Sequence, residues 1–404
     1  MKVSVIGQGY VGLPIALHAA HAGFNVVGMD LNLSLVESLN QGISHIEDIR
    51  DSFLNQAISS GNYIASSNFS SISDSDIAII AVPTPLGDDR KPDLSFIQDA
   101  SRMLGENLKK PTLIINESTS HPGTLRNLIM HTVQEYSTKG ISHLFAISPE
   151  RVDPGNAQWN IKTTPRLVAG ITNEALKRTK EFYSNFCDTL IDVSSPEVAE
   201  LAKLFENTFR QVNIALVNEL ALITRSMGIS VNEVIDAAAT KPYGFMKFKP
   251  GIGVGGHCIP VDPTYLASAA EVHGIEARFV NLANKVNLEI PQKLVERIIF
   301  ENGGTVSGKS ILICGMAYKP NVGDTRESPS ILLRDILIEK GAKVSWYDPL
   351  VKSIDGEFSI DLNNIIFDII IVAVVHREMN LQQIITSSKY IFDCTGILKM
   401  GHQL

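Results

Sequence analysis

The residue best suited to covalent chemistry is Cys258, which lies in a loop of unusual composition. The fifteen residues of Lys249–Pro263 hold four glycines and three prolines around this thiol, a composition that excludes helix and strand. Asp262 and Pro263 have the residue types of an N-cap and a first helical residue, which predicts a helix directly after the loop. Because a helix N-terminus favours the thiolate form of a nearby thiol, we predict that Cys258 is a nucleophile.

The other three cysteines, Cys187, Cys314 and Cys394, lie on amphipathic or strand-like segments, and we predict that they are small buried apolar side chains. The four cysteines are widely spaced and form no CxxC pair, which argues against a disulfide framework and a zinc site. We therefore expect a reducing compartment and no bound metal.

Lys203 and Asn207 are a second candidate pair for chemistry, since they are four residues apart in a segment with helical spacing. Residues four apart lie on one helix face, here opposite Leu201 and Phe205, so both side chains could meet one ligand. Charged helix faces are more commonly just solvated, and that interpretation stays open at this point.

A glycine-rich turn, Gly7-Gln8-Gly9-Tyr10-Val11-Gly12, follows a predicted strand at Val3–Ile6 and opens a predicted helix. In a dinucleotide-binding turn Gly7 permits the tight turn, Gly9 lets the backbone approach a pyrophosphate, and Gly12 lets strand and helix pack closely. The N–H groups around Tyr10 and Val11 would face the phosphates. The alternative is a turn that is rich in glycine for packing alone.

Asp30 ends the next predicted strand, Phe24–Met29, and lies 18 residues after Gly12. A carboxylate there can accept hydrogen bonds from a ribose 2′-OH and would repel a 2′-phosphate, so we expect NAD rather than NADP. Pro83, Thr84 and Thr119 follow two further predicted strands, at the edge where open α/β sheets bind ligands. We predict cofactor contacts there, although each threonine could equally be an ordinary turn hydroxyl.

The same predicted order of strand, turn, helix and strand occurs again after Gly308 and ends at Asp348. We therefore predict an α/β chain of two Rossmann-like, doubly wound parallel-sheet domains joined by a central helical region. The expected boundaries are 1–190 for an NAD-binding domain, 191–300 for the helical region and 301–404 for the second Rossmann-like domain.

One long helix should begin near Pro196, because no breaker follows before Gly228. Residues 214–223 are apolar nearly all round, which favours burial against a second copy of the chain in a homodimer. A core helix of a monomer would show the same pattern, so that alternative stays open.

Length and composition limit the classes of protein. The 404 residues, 44 % hydrophobic and 19 % charged, indicate a globular chain of two or three domains. A net charge of −8 argues against nucleic-acid binding. Apolar runs fall well short of the ~20 residues that span a bilayer, and strand-like sequence starts at residue 3, so we expect no membrane association and a cytoplasmic location.

Seven ordered motifs resemble the nucleotide-diphosphate-sugar 6-dehydrogenases, the family of UDP-glucose and GDP-mannose dehydrogenases. They are GQGYVG from Gly7, PTP from Pro83, EST from Glu117, SPERVDPGN from Ser148, ELAKLFENTFR from Glu200, GVGGHCIPVDP from Gly253 and GMAYKPNVGDTRESP from Gly315.

The resemblance implies an NAD-dependent oxidation of a sugar C6 alcohol to a carboxylate through a thioester on Cys258. It further implies that Lys203 and Asn207 stabilise the reacting oxygen and contact substrate, and that Asp262, Thr119 and Glu150 arrange a water. It assigns Lys319 to the UDP diphosphate, Arg326 to the cofactor, and Lys249 and Gly255 to the substrate loop.

The form of the cysteine loop is similar to that of enzymes acting on 2-acetamido sugars, since His257 and Val261 stand where UDP-glucose enzymes have Ser and Lys. The resemblance therefore implies a UDP-N-acetylhexosamine 6-dehydrogenase of the glucosamine or mannosamine type, serving polysaccharide synthesis. The alternatives are a UDP-glucose 6-dehydrogenase, a two-electron β-hydroxyacid dehydrogenase of the phosphogluconate type, and a non-catalytic NAD-binding regulator.

Overall fold

The computed structural model describes residues 1–46, 48–87, 89–152, 156, 158–256, 258–362, 365–388, 390–398 and 402–403. The chain divides into two compact units, an N-terminal unit of Met1–Glu206 and a C-terminal unit of Asn207–Leu404.

Within its described residues the N-terminal unit holds an eight-stranded sheet of order β3-β2-β1-β4-β5-β6-β7-β8. The strands are β1 Lys2–Ile6, β2 Asn25–Met29, β3 Tyr63–Ser66, β4 Ile77–Ile80, β5 Leu113–Asn116, β6 Leu144–Ile147, β7 Arg166–Gly170 and β8 Leu190–Asp192. Strand order reverses between β1 and β4, which makes the crevice between them the switch point where doubly wound sheets bind ligands.

Helices cover both faces of this sheet. They are α1 Gly12–His21, α2 Leu33–Asn40, α3 Asp51–Ser59, α4 Ser95–Asn107, α5 His131–Tyr136, preceded by a π-helical segment Leu125–Met130, and α6 Asn173–Tyr183. Ile77 and Ile79 of β4 pack into one apolar cluster while Ala78 and Ile80 pack into another. Burial on both faces explains why this strand is a continuous apolar run.

Two details of the predicted sheet were wrong. The strand before Pro83, predicted as the next after Phe24–Met29, is the fourth in chain order, because β3 was not predicted. β3 lies at the sheet edge, where Ile64 is exposed and the apolar pattern is weak. The sheet is also not wholly parallel, since β7 pairs antiparallel with β6, with Ala146 opposite Gly170. The predicted strand–helix–strand unit at the N-terminus is confirmed.

The predicted long helix is confirmed as α7, Pro196–Ser226, with 31 residues and a length of about 46 Å. The hydroxyl of Ser195 accepts a hydrogen bond from the Val198 N–H at 3.4 Å, which helps to start the helix. Among the described residues no helix, α7 included, is both long enough and apolar enough to cross a membrane.

The C-terminal unit contains the helices α8 Val231–Ala238, α9 Asp262–Val272, α10 Arg278–Glu301, α11 Pro329–Glu339 and α12 Leu381–Thr386. Its described strands are β9 Ser310–Cys314, β10 Lys343–Tyr347, β11 Ser353–Ile354, β12 Glu357–Phe358, β13 Ile369–Val372, β14 Ile391–Asp393 and β15 His402–Gln403. Five of them form a parallel sheet of order β10-β9-β13-β14-β15. The second Rossmann-like half is therefore present, as the repeated pattern predicted.

Candidate active site

The glycine turn between β1 and α1 has the packing that a dinucleotide site requires. Gly7 has a φ of +90°, and a Cβ on it would lie 2.4 Å from the Ala81 carbonyl oxygen. A Cβ on Gly12 would lie 1.9 Å from the Gly7 carbonyl oxygen. At Gly9, in contrast, a Cβ would meet nothing within 4 Å. The first and third glycines are thus needed by the fold, while the second faces open space where a pyrophosphate fits.

The end of β2 presents the predicted acid beside this turn. The Gln8 N–H donates to Asp30 Oδ2 at 2.9 Å, and the Asn32 N–H donates to Oδ1 at 2.9 Å. Val11 precedes α1 and has no side-chain acceptor, so the helix start is compatible with capping by a ligand phosphate. These residues therefore fit a bound NAD.

The second and third glycines of the turn give a matched pair of variants. We expect Gly9→Ala to leave thermal stability unchanged but to weaken NAD binding by about tenfold, because the methyl group occupies phosphate space. We expect Gly12→Ala to lower the free energy of unfolding by roughly 1–3 kcal/mol, because its methyl group overlaps backbone. Thermal unfolding and titration with NAD measure both effects, and wild-type NAD affinity in Gly9→Ala would contradict the assignment.

Two loops beside the glycine turn carry the predicted threonines. The Ser118 hydroxyl donates to the Val82 carbonyl oxygen at 2.8 Å and ties the loop after β5 to the loop after β4. Thr84 is buried, Pro83 is exposed and Thr119 is half-buried. These three positions thus lie at the carboxyl edge of the sheet, the same edge that carries Gly7 and Asp30.

A buried charge cluster lies where β5, β6 and β7 meet. One nitrogen of Arg166, Nη1, donates to both oxygens of Glu117 at 2.6 Å, and Nη2 donates to Glu150 Oε2 at 2.6 Å. The Tyr183 hydroxyl also donates to Glu117 Oε1. Arg166 and Glu117 are almost wholly inaccessible to solvent. One guanidinium therefore serves two carboxylates and fixes the position of Glu150.

The two carboxyls of this cluster differ electrostatically. Burial raises the pKa of Glu117 to about 7, against the attraction of Arg166. Burial also opposes the charge of Glu150, but Arg166 and the Val152 N–H outweigh it and hold the pKa of that carboxyl below its ordinary value. Glu150 is thus the carboxyl of this pair whose charged form is favoured.

The first part of α7 adds a cation near Glu150. Lys203 is buried, and its charge contributes to lowering the pKa of Glu150. Arg151 and Glu206 form an ion pair at 2.6 Å that joins the Glu150 loop to α7. The alternative interpretation, in which Lys203 lies on a solvated helix face, is therefore wrong. The exposed side chains of this stretch are instead Leu201 and Phe205.

The C-terminal unit joins two of the predicted residues directly. The Asn207 amide Nδ2 donates to Asp262 Oδ2 at 2.5 Å, linking α7 to α9, and Asp262 is buried. The N–H groups of Val261 and Asp262 donate to the Cys258 carbonyl oxygen, so the partly exposed Cys258 ends its loop in a tight turn at the start of α9.

Two predictions about this loop have different outcomes. The loop is irregular, as its composition predicted, for the residues described; His257 lies outside them. Asp262 as N-cap is wrong: Val261 holds that position and Asp262 is the first helical residue. Its carboxylate binds the amide of Asn207 rather than capping its own helix, because α7 offers a donor.

Glycines of the cysteine loop pack against the loop after β9. A Cβ on Gly255 would lie 2.7 Å from the Tyr318 Cβ and 2.8 Å from the Glu327 carbonyl oxygen. Gly256 has a φ of +89° and donates its N–H to the Arg326 carbonyl oxygen at 2.9 Å. Gly255 therefore allows the close approach of two loops, beside any contact with substrate.

Three predicted basic residues occupy different settings in this unit. Lys319 is half-buried, with its Nζ 5.7 Å from the centre of the Tyr318 ring. Arg326 is exposed and binds Asp324, with Nη2 and Oδ2 2.6 Å apart. Lys249 is exposed ahead of the cysteine loop. The prediction that Cys187, Cys314 and Cys394 are buried is confirmed.

Sequence reasoning missed Arg166 and Tyr183 as partners of Glu117 and Glu150. A charged residue at the start of the apolar strand β7 was the one available signal for Arg166. It also gave no role to Glu200, which is buried on α7 and accepts the N–H groups of Gly123 and Leu125 at 2.6 and 3.0 Å. Glu200 thereby holds the segment after Thr119.

Three family models match the chain in sequence order. They describe the NAD-binding, central and UDP-binding domains of the UDP-glucose/GDP-mannose dehydrogenase family and match residues 1–187, 197–289 and 312–400. The matches cover most of the chain.

Individual relatives are similar over almost their whole length. UDP-N-acetyl-D-mannosamine dehydrogenase of Pyrococcus horikoshii is 34 % identical over 99 % of this chain and 96 % of its own. UDP-N-acetyl-D-glucosamine 6-dehydrogenase of Pseudomonas aeruginosa is 32 % identical over 94 % and 91 %. The solved structure of a UDP-glucose dehydrogenase from Pyrobaculum islandicum superposes with a TM-score of 0.88 at 27 % identity, covering 97 % and 93 % of the two chains.

Proposed function

The chain belongs to the UDP-glucose/GDP-mannose dehydrogenase family, and from that premise we propose that it oxidises the C6 hydroxyl of a UDP-N-acetylhexosamine to a carboxylate. The observation that carries the proposal is the pair of Cys258 and the Asn207–Asp262 hydrogen bond at the start of α9. A cysteine in the turn directly before this fixed carboxylate suits an oxidation that passes through a thioester.

The proposed reaction has four chemical steps. The C6 alcohol first loses a proton and a hydride and becomes an aldehyde. The Cys258 sulfur then adds to the aldehyde carbon, and the oxygen takes up a proton to give a thiohemiacetal. This adduct loses a second proton and hydride and becomes a thioester, which water cleaves to the carboxylate and the free thiol. NAD, when bound, accepts one hydride in each oxidation.

The surrounding residues support these steps by charge and hydrogen bonding. Lys203 would stabilise the oxygen on C6 as negative charge develops, and Asn207 would donate to the same oxygen. Asp262, Thr119 and Glu150 would orient the hydrolytic water, with Glu150 kept ionised by Arg166.

The nucleotides would bind at the two Rossmann-like halves. In the N-terminal unit, NAD would lie on the turn at Gly7, Gly9, Tyr10, Val11 and Gly12, with Asp30 on its ribose. Pro83, Thr84 and Thr119 line the same edge, and we also assign Arg326 to the cofactor.

In the C-terminal unit, we assign Lys319 to the UDP diphosphate and Lys249 and Gly255 to the substrate loop. The segments 1–190, 191–300 and 301–404 would thus serve NAD, the reacting centre and UDP.

Similarity to relatives named for N-acetylmannosamine and N-acetylglucosamine substrates favours a 2-acetamido sugar. A UDP-glucose substrate remains the second candidate, because the fold is shared with a UDP-glucose dehydrogenase. A two-electron β-hydroxyacid dehydrogenase needs neither the cysteine loop nor the matched UDP-binding domain.

We place the enzyme in the cytoplasm, where NAD and UDP-sugars are available. We propose that it supplies uronic acids for polysaccharide synthesis.

Turnover with four substrates tests this assignment. NADH formation would be followed with UDP-N-acetylglucosamine, UDP-N-acetylmannosamine, UDP-N-acetylgalactosamine and UDP-glucose at equal concentrations. We expect an acetamido sugar to give the highest kcat/KM. A preference for UDP-glucose would overturn the proposed substrate class while leaving the reaction type intact.

We also propose a homodimer through α7. Along this helix Phe205 and Leu216 are 63 % and 60 % exposed in the single chain, and they would supply apolar surface for a second copy to cover. Sedimentation should give twice the mass of the chain, and a monomer mass at micromolar concentration would refute this arrangement.

A further inference from the structure

The two Rossmann-like halves use the acid after their second strand differently. Asp30, after β2, is partly exposed and receives two backbone hydrogen bonds. Asp348 holds the equivalent place after β10, but its side chain is wholly buried. A buried carboxylate cannot bind the ribose of a ligand as Asp30 can, so its role must lie within the protein.

Asp348 accepts hydrogen bonds from the backbone of two segments, the loop after β9 and the loop after β10. Its Oδ2 accepts the N–H groups of Met316 and Ala317 at 2.8 and 3.1 Å, and its Oδ1 accepts those of Leu350 and Val351 at 2.8 and 3.1 Å. Burial opposes its charge, but His376 and these N–H groups outweigh burial and hold the pKa of the Asp348 carboxyl below its ordinary value. The carboxylate therefore fixes the start of the loop that carries Lys319.

His376 continues this connection to the far side of Lys319. Its Nε2 lies 3.1 Å from Asp348 Oδ2, and its Nδ1 accepts the Asn321 N–H at 2.8 Å. Because Nδ1 accepts this hydrogen bond, the ring proton that faces Asp348 lies on Nε2. Asn321 has a φ of +62°, and its side-chain oxygen accepts the Arg377 N–H at 2.9 Å. Both ends of the segment 316–321 are thus held by one Asp–His pair.

We propose that Asp348 and His376 are positioning residues that hold the backbone around Lys319 in the shape that receives the substrate's diphosphate. This inference rests on the proposed function, in which Lys319 meets UDP. A lysine binds a diphosphate well only when its backbone is already ordered, because ordering a loop during binding costs affinity. The acid assigned to ribose in the first half of the fold would thus support a phosphate-binding loop in the second.

Two substitutions of His376 each retain one of its two hydrogen bonds and remove the other. His376→Gln keeps a donor near the position of Nε2 but loses the acceptor for the Asn321 N–H. His376→Asn keeps an acceptor near the position of Nδ1 but loses the donor to Asp348, which retains its four backbone partners. We expect His376→Gln to raise the dissociation constant of UDP about fivefold, and His376→Asn to change it less than about twofold.

The test measures UDP binding by calorimetry in the full-length protein, with KM, kcat and thermal unfolding for each variant. We expect kcat and the KM for NAD to stay near wild type in His376→Gln while the KM for the UDP-sugar rises. In a Lys319→Ala background His376→Gln should add little, because both act through one contact. Amide exchange of the peptide covering 316–321 should be faster in His376→Gln and near normal in His376→Asn.

The outcomes separate this inference from the proposed function. Wild-type protein that does not bind UDP overturns both. Wild-type protein that binds UDP, with equal UDP affinities in the two His376 variants and equal loss of stability, overturns only the positioning role. Additive effects of His376→Gln and Lys319→Ala would also overturn it.

Discussion

Cys258→Ser is expected to lower the rate of uronic acid formation by at least about 10³-fold, while the affinity for NAD stays unchanged. A serine hydroxyl at neutral pH is a far weaker nucleophile than a thiolate, and it cannot form the thioester that hydrolysis requires. Acid formation is measured by chromatography of the UDP-sugar products. NAD affinity is measured by titration of the same preparation.

Cys314→Ala is the matched control for this substitution. Cys314 is fully buried in β9, and burial raises the pKa of its thiol well above the ordinary value, so it is not a nucleophile. This variant should retain acid formation if it folds. Substantial acid production by Cys258→Ser would show that the reaction does not pass through this sulfur.

Arg166→Met should be the most destabilising of the substitutions considered, by about 3–5 kcal/mol, because it leaves Glu117 and Glu150 buried without their shared cation. For a unit of this size that corresponds to a fall of the unfolding midpoint on the order of 10 °C. Arg102→Met removes an ion pair to Asp99 that is largely exposed, and it should change stability by less than about 1 kcal/mol.

The effect of Arg166→Met should also depend on pH. Without the guanidinium the native-state pKa values of Glu117 and Glu150 rise, so the folded protein retains protons that the unfolded chain has released above pH about 4.3. Stability of the variant must therefore fall as pH rises through that window. Thermal unfolding of the variant and of the wild type at pH 5.5 and pH 8 measures this, and a loss of stability relative to the wild type that is equal at both values would contradict the role of Arg166 in favouring the charged carboxylates.

The sequence was sufficient for the elements with strong local signals. The glycine turn at Gly7, the acid at Asp30 and the breaker-free stretch before Gly228 each follow from backbone geometry or periodicity, and the structure contains all three elements. The short edge strand β3 was missed because an edge strand has one solvent-facing side and little apolar pattern.

The contacts between elements could not be predicted from spacing. Arg166 is 49 residues from Glu117 in sequence and still binds it, which depends on β5 and β7 being brought together by the sheet. Asp262 has the residue type of an N-cap, yet its carboxylate accepts a hydrogen bond from Asn207 of another helix. Local propensity identifies what a side chain can do, while tertiary packing decides which partner it finds.

Similarly, the repeated pattern predicted Asp348 as a counterpart of Asp30 but could not show that the second acid is buried. That outcome depends on His376, which lies 28 residues further along the chain and approaches only when β13 pairs with β9. A repeat in sequence thus predicted the fold of both halves without predicting how their acids are used.

The proposed reaction removes four electrons from each sugar. The most direct test is to let a limiting, known amount of UDP-N-acetylhexosamine react to completion with excess NAD and to count NADH by absorbance. A four-electron oxidation yields two NADH for each uronic acid formed. One NADH per sugar, with an aldehyde or ketone as the final product, would contradict it.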